Sequence, residues 1–416
     1  MVETLRRIVH HKVSIDHIGT KNFPSSEATI LILPDYYFEI NKGFPIFYVK
    51  PIPLCTNVFQ YPLLKTSTAS RGTLIFAAVF MKPVEEIYPL IAGPVRKVVI
   101  TAHQKPDADA MGSMLSLKHF LIQFGHSVTL VSPTNWAAWL NWMPGVREVV
   151  DYDYSRDKAE GILDQAEWLF CLDFNAFHRT KNMAAKLQSL NCTKILIDHH
   201  REPDEQAFDY GVSDTGKSST CEMIYDFIVG SGHADKINND IAQCLYAGLI
   251  ADTGSFRFDS THAGVHKIVA DLKERGLQHS KVHESLFDNY LETRLRFLGN
   301  TLQNRMQVFY EYNTALIAIP KSDLLKYDVK TGDTEGFVNY PLSIQGIKLA
   351  AFVVDRDEER KWSFRSKGDF DCNTFARKYF EGGGHYNAAG GRSSESLEKT
   401  VQRFIQVMKE NESILQ

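Results

Sequence analysis

Four short runs with apolar centres, at residues 98–101, 127–132, 168–173 and 194–198, are separated by stretches of helical periodicity near 110–124 and 181–190. A strand that buries one face alternates apolar and polar residues. A strand with no such alternation is buried on both faces, as in a parallel sheet covered by helices on either side. The fold class expected is therefore α/β, built on a parallel sheet. In such sheets ligands gather outside the carboxyl ends of the strands, and here those ends carry the acidic and imidazole side chains.

The rest of the chain divides around this pattern. Residues 1–80 hold only 13 of the charged residues but 6 of the 15 prolines, and their periodicity is poor. From Met81 the sequence MKPVEEIYPLIAGPVRKVVITAH opens with acidic residues in a first helical turn and runs into a β-branched strand. The expectation is that 1–80 is an N-terminal extension, with Met81 the natural start and the upstream residues a mis-called start. A small accessory domain is the alternative. Residues 81–285 then form the parallel-sheet domain, 286–310 a helical connector, and 311–416 a second, smaller α/β domain with strands near 314–319, 348–354 and 361–365 and a closing amphipathic helix, SLEKTVQRFIQVMKE.

Composition bounds the partners. With 46 basic against 50 acidic residues and a net charge of −4, the chain lacks the broad basic face that grips long nucleic acid, while small anionic substrates stay open. Its six cysteines, Cys55, Cys171, Cys192, Cys221, Cys244 and Cys372, form no C-x-x-C pair. They read as reduced thiols of a cytoplasmic protein. No apolar stretch has the length of a membrane span.

The chemistry-bearing residues follow the strands. After the first comes HQKPDADAMGS, with His103, Asp107 and Asp109 within seven residues on a strand-to-helix turn. Such a turn can face two metals, or the two aspartates can cap the helix with His103 packed beside them. The third run ends at Asp173, and the fourth at Asp198-His199-His200, where His199 can ligate a metal while Asp198 or a backbone group orients it. Asp252 follows another apolar segment in LYAGLIADTGSFRF. Four carboxylates and two imidazoles at one end of one sheet repel unless neutralised, so the charge count asks for two divalent cations, with Asp173 as the bridge. Mixed Asp/His ligation suits Mn2+ and tolerates Mg2+, Co2+ or Zn2+. In the second domain, KWSFRSKGDFD offers Arg365 as a phosphate clamp. EGGGHYNAAGGRS offers a glycine loop around His385, read either as a phosphate cradle or as a plain turn.

These motifs, in this order, resemble the DHH phosphoesterases that carry a DHH-associated C-terminal domain, from about Met81 to the C-terminus. Within that family the two-domain form with an intact GGGH loop is similar to the oligoribonuclease and 3'-phosphoadenosine-phosphate phosphatase group. The resemblance implies one metal at His103, Asp107 and Asp173, and another at Asp109, Asp173, His199 and Asp252. It implies His200 against the scissile phosphate, with Asp198 beside it in the catalytic pair. Arg365 and His385 would hold the far end of the substrate, with Ser366, Gly383, Gly384 and Asn387 completing that surface, and the stretch 331–340 would tune substrate choice. The activity implied is hydrolysis of short RNA to 5'-mononucleotides and removal of the 3'-phosphate of phosphoadenosine phosphate, with no long-duplex binding and with homodimerisation left open. The rivals are a phosphodiesterase of linear or cyclic dinucleotides, a RecJ-type single-strand exonuclease and a degenerate nucleotide-binding module.

Overall fold

The computed structural model describes residues 19–21, 28–33, 36–41, 47–51, 81–356 and 359–415, and of the first four segments the backbone alone. The chain divides into two compact units, Met1–Val79 and Phe80–Gln416. In the first, β1 (Gly19–Lys21), β2 (Ala28–Leu33), β3 (Tyr36–Asn41) and β4 (Phe47–Pro51) form an antiparallel sheet in sequential order. A regular sheet thus occupies a stretch whose periodicity pointed to no element. Cys55 lies outside the described residues.

The second unit carries two sheets. The first has seven strands in the order β5 (Lys82–Pro83), β11 (Tyr210–Ser213), β10 (Thr193–Asp198), β9 (Trp168–Leu172), β6 (Lys97–Thr101), β7 (Ser127–Ser132) and β8 (Val150–Asp151). Every pairing is parallel. All five residues of β9 are buried, as the missing alternation requires. Helices α1 (Ala108–Leu121), α2 (Thr220–Gly230) and α3 (Asn239–Asp252) pack together on one face. The contact of α1 with α3 is close enough that a Cβ on Gly112 would lie 2.5 Å from the Cys244 carbonyl oxygen, so only glycine fits there.

The stretch read as one connecting helix is two, α4 (His279–Phe287) and α5 (Glu292–Asn304). Its last residues leave the helix to form β12 (Met306–Phe309). That strand opens a six-stranded mixed sheet, β12-β13-β14-β15-β17-β16. Here β13 (Thr314–Ile319) and β14 (Leu349–Arg356) pair in parallel, while β14 with β15 (Glu359–Ser366) and β15 with β17 (Ala388–Ser393) are antiparallel. Trp362 and Phe364 on β15 stack on Phe404 of the C-terminal amphipathic helix α7 (Leu397–Glu410), with α6 (Cys372–Tyr379) completing that face. The GGGH run is the edge of this sheet. Gly383 and Gly384 form β16, paired with Gly390 and Ala389, and a Cβ on Gly384 would lie 2.6 Å from the Ala388 carbonyl oxygen. No helix among the described residues is long and apolar enough to cross a membrane.

Candidate metal centre

The strand ends of the first sheet meet at one buried cluster. Asp107 is the N-cap of α1, and its Oδ1 accepts from the Asp109 and Ala110 amides at 3.0 and 3.1 Å. Its Oδ2 is free of the cap and lies 3.9 Å from His103 Nε2. The capping and metal-facing readings therefore hold together, one per oxygen. His103 Nδ1 lies 2.8 Å from the Gln104 carbonyl oxygen, which fixes the proton there and turns the Nε2 lone pair toward the acids.

Asp173 follows β9 with φ of 62°, a left-handed conformation that aspartate adopts more readily than most residues. Its Oδ2 is 3.3 Å from His103 Nε2 and its Oδ1 is 3.4 Å from His199 Nε2. Each oxygen thus faces a different imidazole. The side chains gather accordingly into one group of His103, Asp107 and Asp173 and another of Asp109, His199 and Asp252, each compact enough to hold an ion.

Asp109 is fully buried beneath the N-terminus of α2, accepting from the Thr220 amide at 2.7 Å and the Cys221 amide at 2.9 Å. Asp252 is the last residue of α3, at the negative end of that helix dipole. Burial, then neighbouring carboxylates, pushes Asp109 up to about 7 and Asp252 well above the usual range. Burial presses His199 down, but Asp173, Asp252 and Asp109 outweigh it and lift the ring to about 10. Burial raises Asp173, yet His103 and His199 hold it well below its ordinary value. Without cations the cluster keeps protons to balance its charge. The geometric sign is His199 Nε2, buried with carboxylate oxygens of Asp173 and Asp252 both at 3.4 Å. A proton on that nitrogen serves the acids when no cation is bound, and a divalent metal between the neutral ring and the same carboxylates serves them equally.

The model of the DHH family, N-terminal domain, matches residues 97–249 and the DHHA1 domain matches 307–411. A solved structure, an exopolyphosphatase-related protein from Bacteroides fragilis, is 35% identical and superposes with a TM-score of 0.76, covering 80% of this chain and 97% of its own. The chain belongs to the DHH family. Among its relatives, the bifunctional oligoribonuclease and PAP phosphatase NrnA of Bacillus subtilis is 29% identical over 70% of this chain and 88% of its own length. The cyclic-di-AMP phosphodiesterase GdpP of Bacillus subtilis is 24% identical over 82% of this chain and 51% of its own. In a DHH-family chain, these gathered acids and imidazoles point to a divalent-metal site.

In this DHH chain the name-giving triplet takes one of the two arrangements open to the sequence reading. Asp198 Oδ1 lies 2.7 Å from His200 Nδ1, so Asp198 orients His200. His199 is steered by a backbone group instead, the Lys217 carbonyl at 3.4 Å from Nδ1. Burial, then the Asp173 charge, raises Asp198 to about 6, while burial and Arg179 hold His200 well below its usual value, so its ring is neutral.

The second sheet meets this centre directly. The His385 ring is centred 4.4 Å from that of His200 and 4.7 Å from that of His199. It therefore lies beside the triplet histidines, whereas the sequence reading set it apart from them with Arg365. Burial and the two neighbouring imidazoles keep it neutral. Arg365 stays apart, lining a cleft with Asp107. Ser366 and Asn387 serve the turn: Asn387 donates to Ser366 Oγ at 2.9 Å and to the Gly368 carbonyl at 3.0 Å.

Two residues escaped the sequence reading. Thr220 donates its hydroxyl to Asp173 Oδ1 at 3.0 Å while its amide holds Asp109. Arg179 follows Asp173 by six residues and bears on His103, His200 and His385. A threonine in the first turn of a helix and an arginine in a short 3-10 helix carry no signal in a single sequence.

Proposed function

We propose that this chain is a two-metal phosphoesterase that hydrolyses short oligoribonucleotides to 5'-mononucleotides and removes the 3'-phosphate of phosphoadenosine phosphate. The observation that carries the reading is Asp173, whose two oxygens face two separate ligand groups, in a chain similar over most of its length to a bifunctional oligoribonuclease and PAP phosphatase. His103, Asp107 and Asp173 would hold one ion, and Asp109, Asp173, His199 and Asp252 the other, with Mn2+ suited to this mixed Asp/His set. Bound divalent ions supply Lewis acidity and a water acidic enough to attack phosphorus near neutral pH.

The protein's own groups do the rest. His200, neutral with its Nδ1 proton held by Asp198, presents an Nε2 lone pair at this end, which would take up a proton before donating to a phosphate oxygen. His385 adds a second neutral ring at the same end. Residues 81–285 carry the chemistry, and 311–416 bind the nucleotide through Arg365 and the turn formed by Gly383, Gly384 and Asn387. A binding-only module is disfavoured because the six candidate ligands are gathered with none missing. The unpaired cysteines accord with a reducing, cytoplasmic setting.

The test is a side-by-side hydrolysis assay with Mn2+ of a diadenylate, a five-nucleotide RNA, a long single strand and phosphoadenosine phosphate. Turnover of the short RNA and the bisphosphate, with the long strand spared, is expected. The relation to GdpP brings a second reading, a cyclic-dinucleotide phosphodiesterase. Preferential turnover of cyclic-di-AMP in the same assay would replace the first.

A further inference from the structure

A cavity of about 210 Å3 lies beside the metal centre, between the Lys105–Asp107 turn, the 331–336 loop and one face of β14 and β15. Alternation along these strands puts Phe352, Val354 and Arg356 on the same face as Lys361, Ser363 and Arg365. The opposite face, with Trp362 and Phe364, is core. Three cations of this face, with Lys105 from the facing turn, therefore point into one space.

These charges are poorly compensated. Among the described residues neither the Lys105 nor the Lys361 side chain forms an ion pair, and Arg356 Nε is buried without a hydrogen-bond partner. Burial, then the charges of Lys105 and Arg356, lowers Lys361. The carboxylates on the wall are Glu335 and Asp107, and Asp107 also belongs to the His103–Asp107–Asp173 group. Glu359, across the strand pair from Arg356, acts on Lys105 and Lys361 as well, which leaves four cations facing three acids. Cations without ion-pair partners call for an anion, as the acids next door call for cations. The shared Asp107 makes the cavity and the metal centre neighbours.

We propose that Lys105, Arg356 and Lys361 form a second anion seat, which takes a phosphate of the substrate other than the one being hydrolysed. Two mobile ammonium groups and a guanidinium with an open Nε edge match a tetrahedral anion from several sides. The inference rests on the phosphoesterase reading above and deepens it: the preferred substrates are those with two or more phosphates. The non-scissile phosphate has two sources, a terminal phosphomonoester as in adenosine 3',5'-bisphosphate or an internal phosphodiester of a longer oligonucleotide.

The experiment uses the full-length protein and the variants Lys105→Gln, Arg356→Gln, Lys361→Gln and their triple combination, with Lys361→Arg as the charge-keeping control. With Mn2+ present, kcat/KM is compared for adenosine 3',5'-bisphosphate against adenosine 3'-monophosphate, and for a triadenylate against a diadenylate. Each neutralisation should lower one of these ratios roughly fivefold to tenfold, the loss of one charge-assisted contact in a partly solvated site. Lys361→Arg should restore most of it, and raised salt should shrink the effect. A fall in the first ratio assigns the seat to a terminal phosphate, and in the second to an internal one. In parallel, binding of adenosine 5'-monophosphate and adenosine to the chelated protein is measured by calorimetry. The nucleotide should bind more tightly, and the triple variant should lose that preference. If the wild type hydrolyses none of the four substrates, the phosphoesterase reading falls while the binding comparison still decides the seat. Unchanged ratios together with an unchanged binding preference in the triple variant overturn it.

Discussion

Replacing Thr220 by valine removes one hydroxyl from the floor of the metal centre and little else. Thr220 is fully buried at the first turn of α2, where its amide donates to Asp109 Oδ2 at 2.7 Å and its hydroxyl to Asp173 Oδ1 at 3.0 Å. Valine is close in shape and keeps the amide, and Ser219 still caps the helix through the Glu222 amide. What disappears is a buried hydrogen bond to a carboxylate, worth about 1.5–3 kcal/mol. Because Asp173 faces both ligand groups, that loss falls on metal binding, and it matches the 10- to 100-fold loss of affinity usual when a partner of a ligating group is removed. Calorimetric titration of the metal-free full-length protein with Mn2+ should show the weakening, with activity partly recovered at saturating Mn2+. Thr220→Ser keeps the hydroxyl and should bind metal as the wild type does. Wild-type Mn2+ affinity in Thr220→Val, with the protein folded by circular dichroism, would refute the assignment of Asp173 as the shared ligand.

Chelation should abolish activity and Mn2+ should restore it, and Asp173→Ala should lower the metal content measured by elemental analysis further than Asp107→Ala or Asp252→Ala. Arg365→Ala should lower kcat/KM on dinucleotides roughly tenfold to a hundredfold while leaving metal content intact, since the guanidinium is no ligand. Loss of metal in that variant would move Arg365 to the centre itself. Gly248→Ala would place a Cβ 2.6 Å from Asp109 Oδ1 and against Cys221 Sγ. Overpacking of this kind costs about 1–3 kcal/mol, so a lowered Tm together with weakened metal binding is expected. Deleting residues 1–80 should leave a folded, active protein, because the described ligand groups all lie in the second unit. A truncated form that melts far below the full chain with activity lost would show the first unit to be integral.

The parallel sheet was legible because the centres of its strands are buried on both faces, with polar residues mostly at the strand ends. The candidate ligands were legible as a set because acids and imidazoles recur at the ends of successive strands, and the structure gathers them. Where two physical roles share one side chain, as in Asp107, sequence offers them as rivals although the structure satisfies both. His385 was misplaced for a different reason: its distance from the triplet depends on how the second sheet docks, which no local pattern records. The sheet of the first unit did leave a trace, since ATILIL and YYFEIN are β-rich runs joined by Pro34-Asp35, a turn dipeptide. The poor helical periodicity around them outweighed it. The helix expected across 286–310 broke because Asp288 and Asn289 favour turns over helix interiors, and MQVF is better satisfied as a strand beside β13.

Part of the docking of the second sheet on the metal centre is carried by exposed ion pairs, beside the packing of the Gly332 loop on Ala137 and Trp139. Arg201 and Glu202, directly after the triplet, face α6 and the GGGH turn: Glu202 pairs with Arg377 at 2.8 Å, Arg201 approaches Asp371 at 3.8 Å, and its guanidinium lies 5.6 Å from the Tyr386 ring centre. These side chains are substantially exposed, and such pairs are worth about 0–1 kcal/mol each and weaken with salt. The facing charges are larger in number and remain unsatisfied, surplus carboxylate on the metal side and surplus ammonium and guanidinium on the sheet side. A phosphorylated nucleotide with its metals answers both at once, cations for the acids and phosphate for the bases. A substrate that spans the cleft would add its own contacts to those that already set His385 beside His200, so a substrate too small to span it is expected to forfeit positioning as well as affinity.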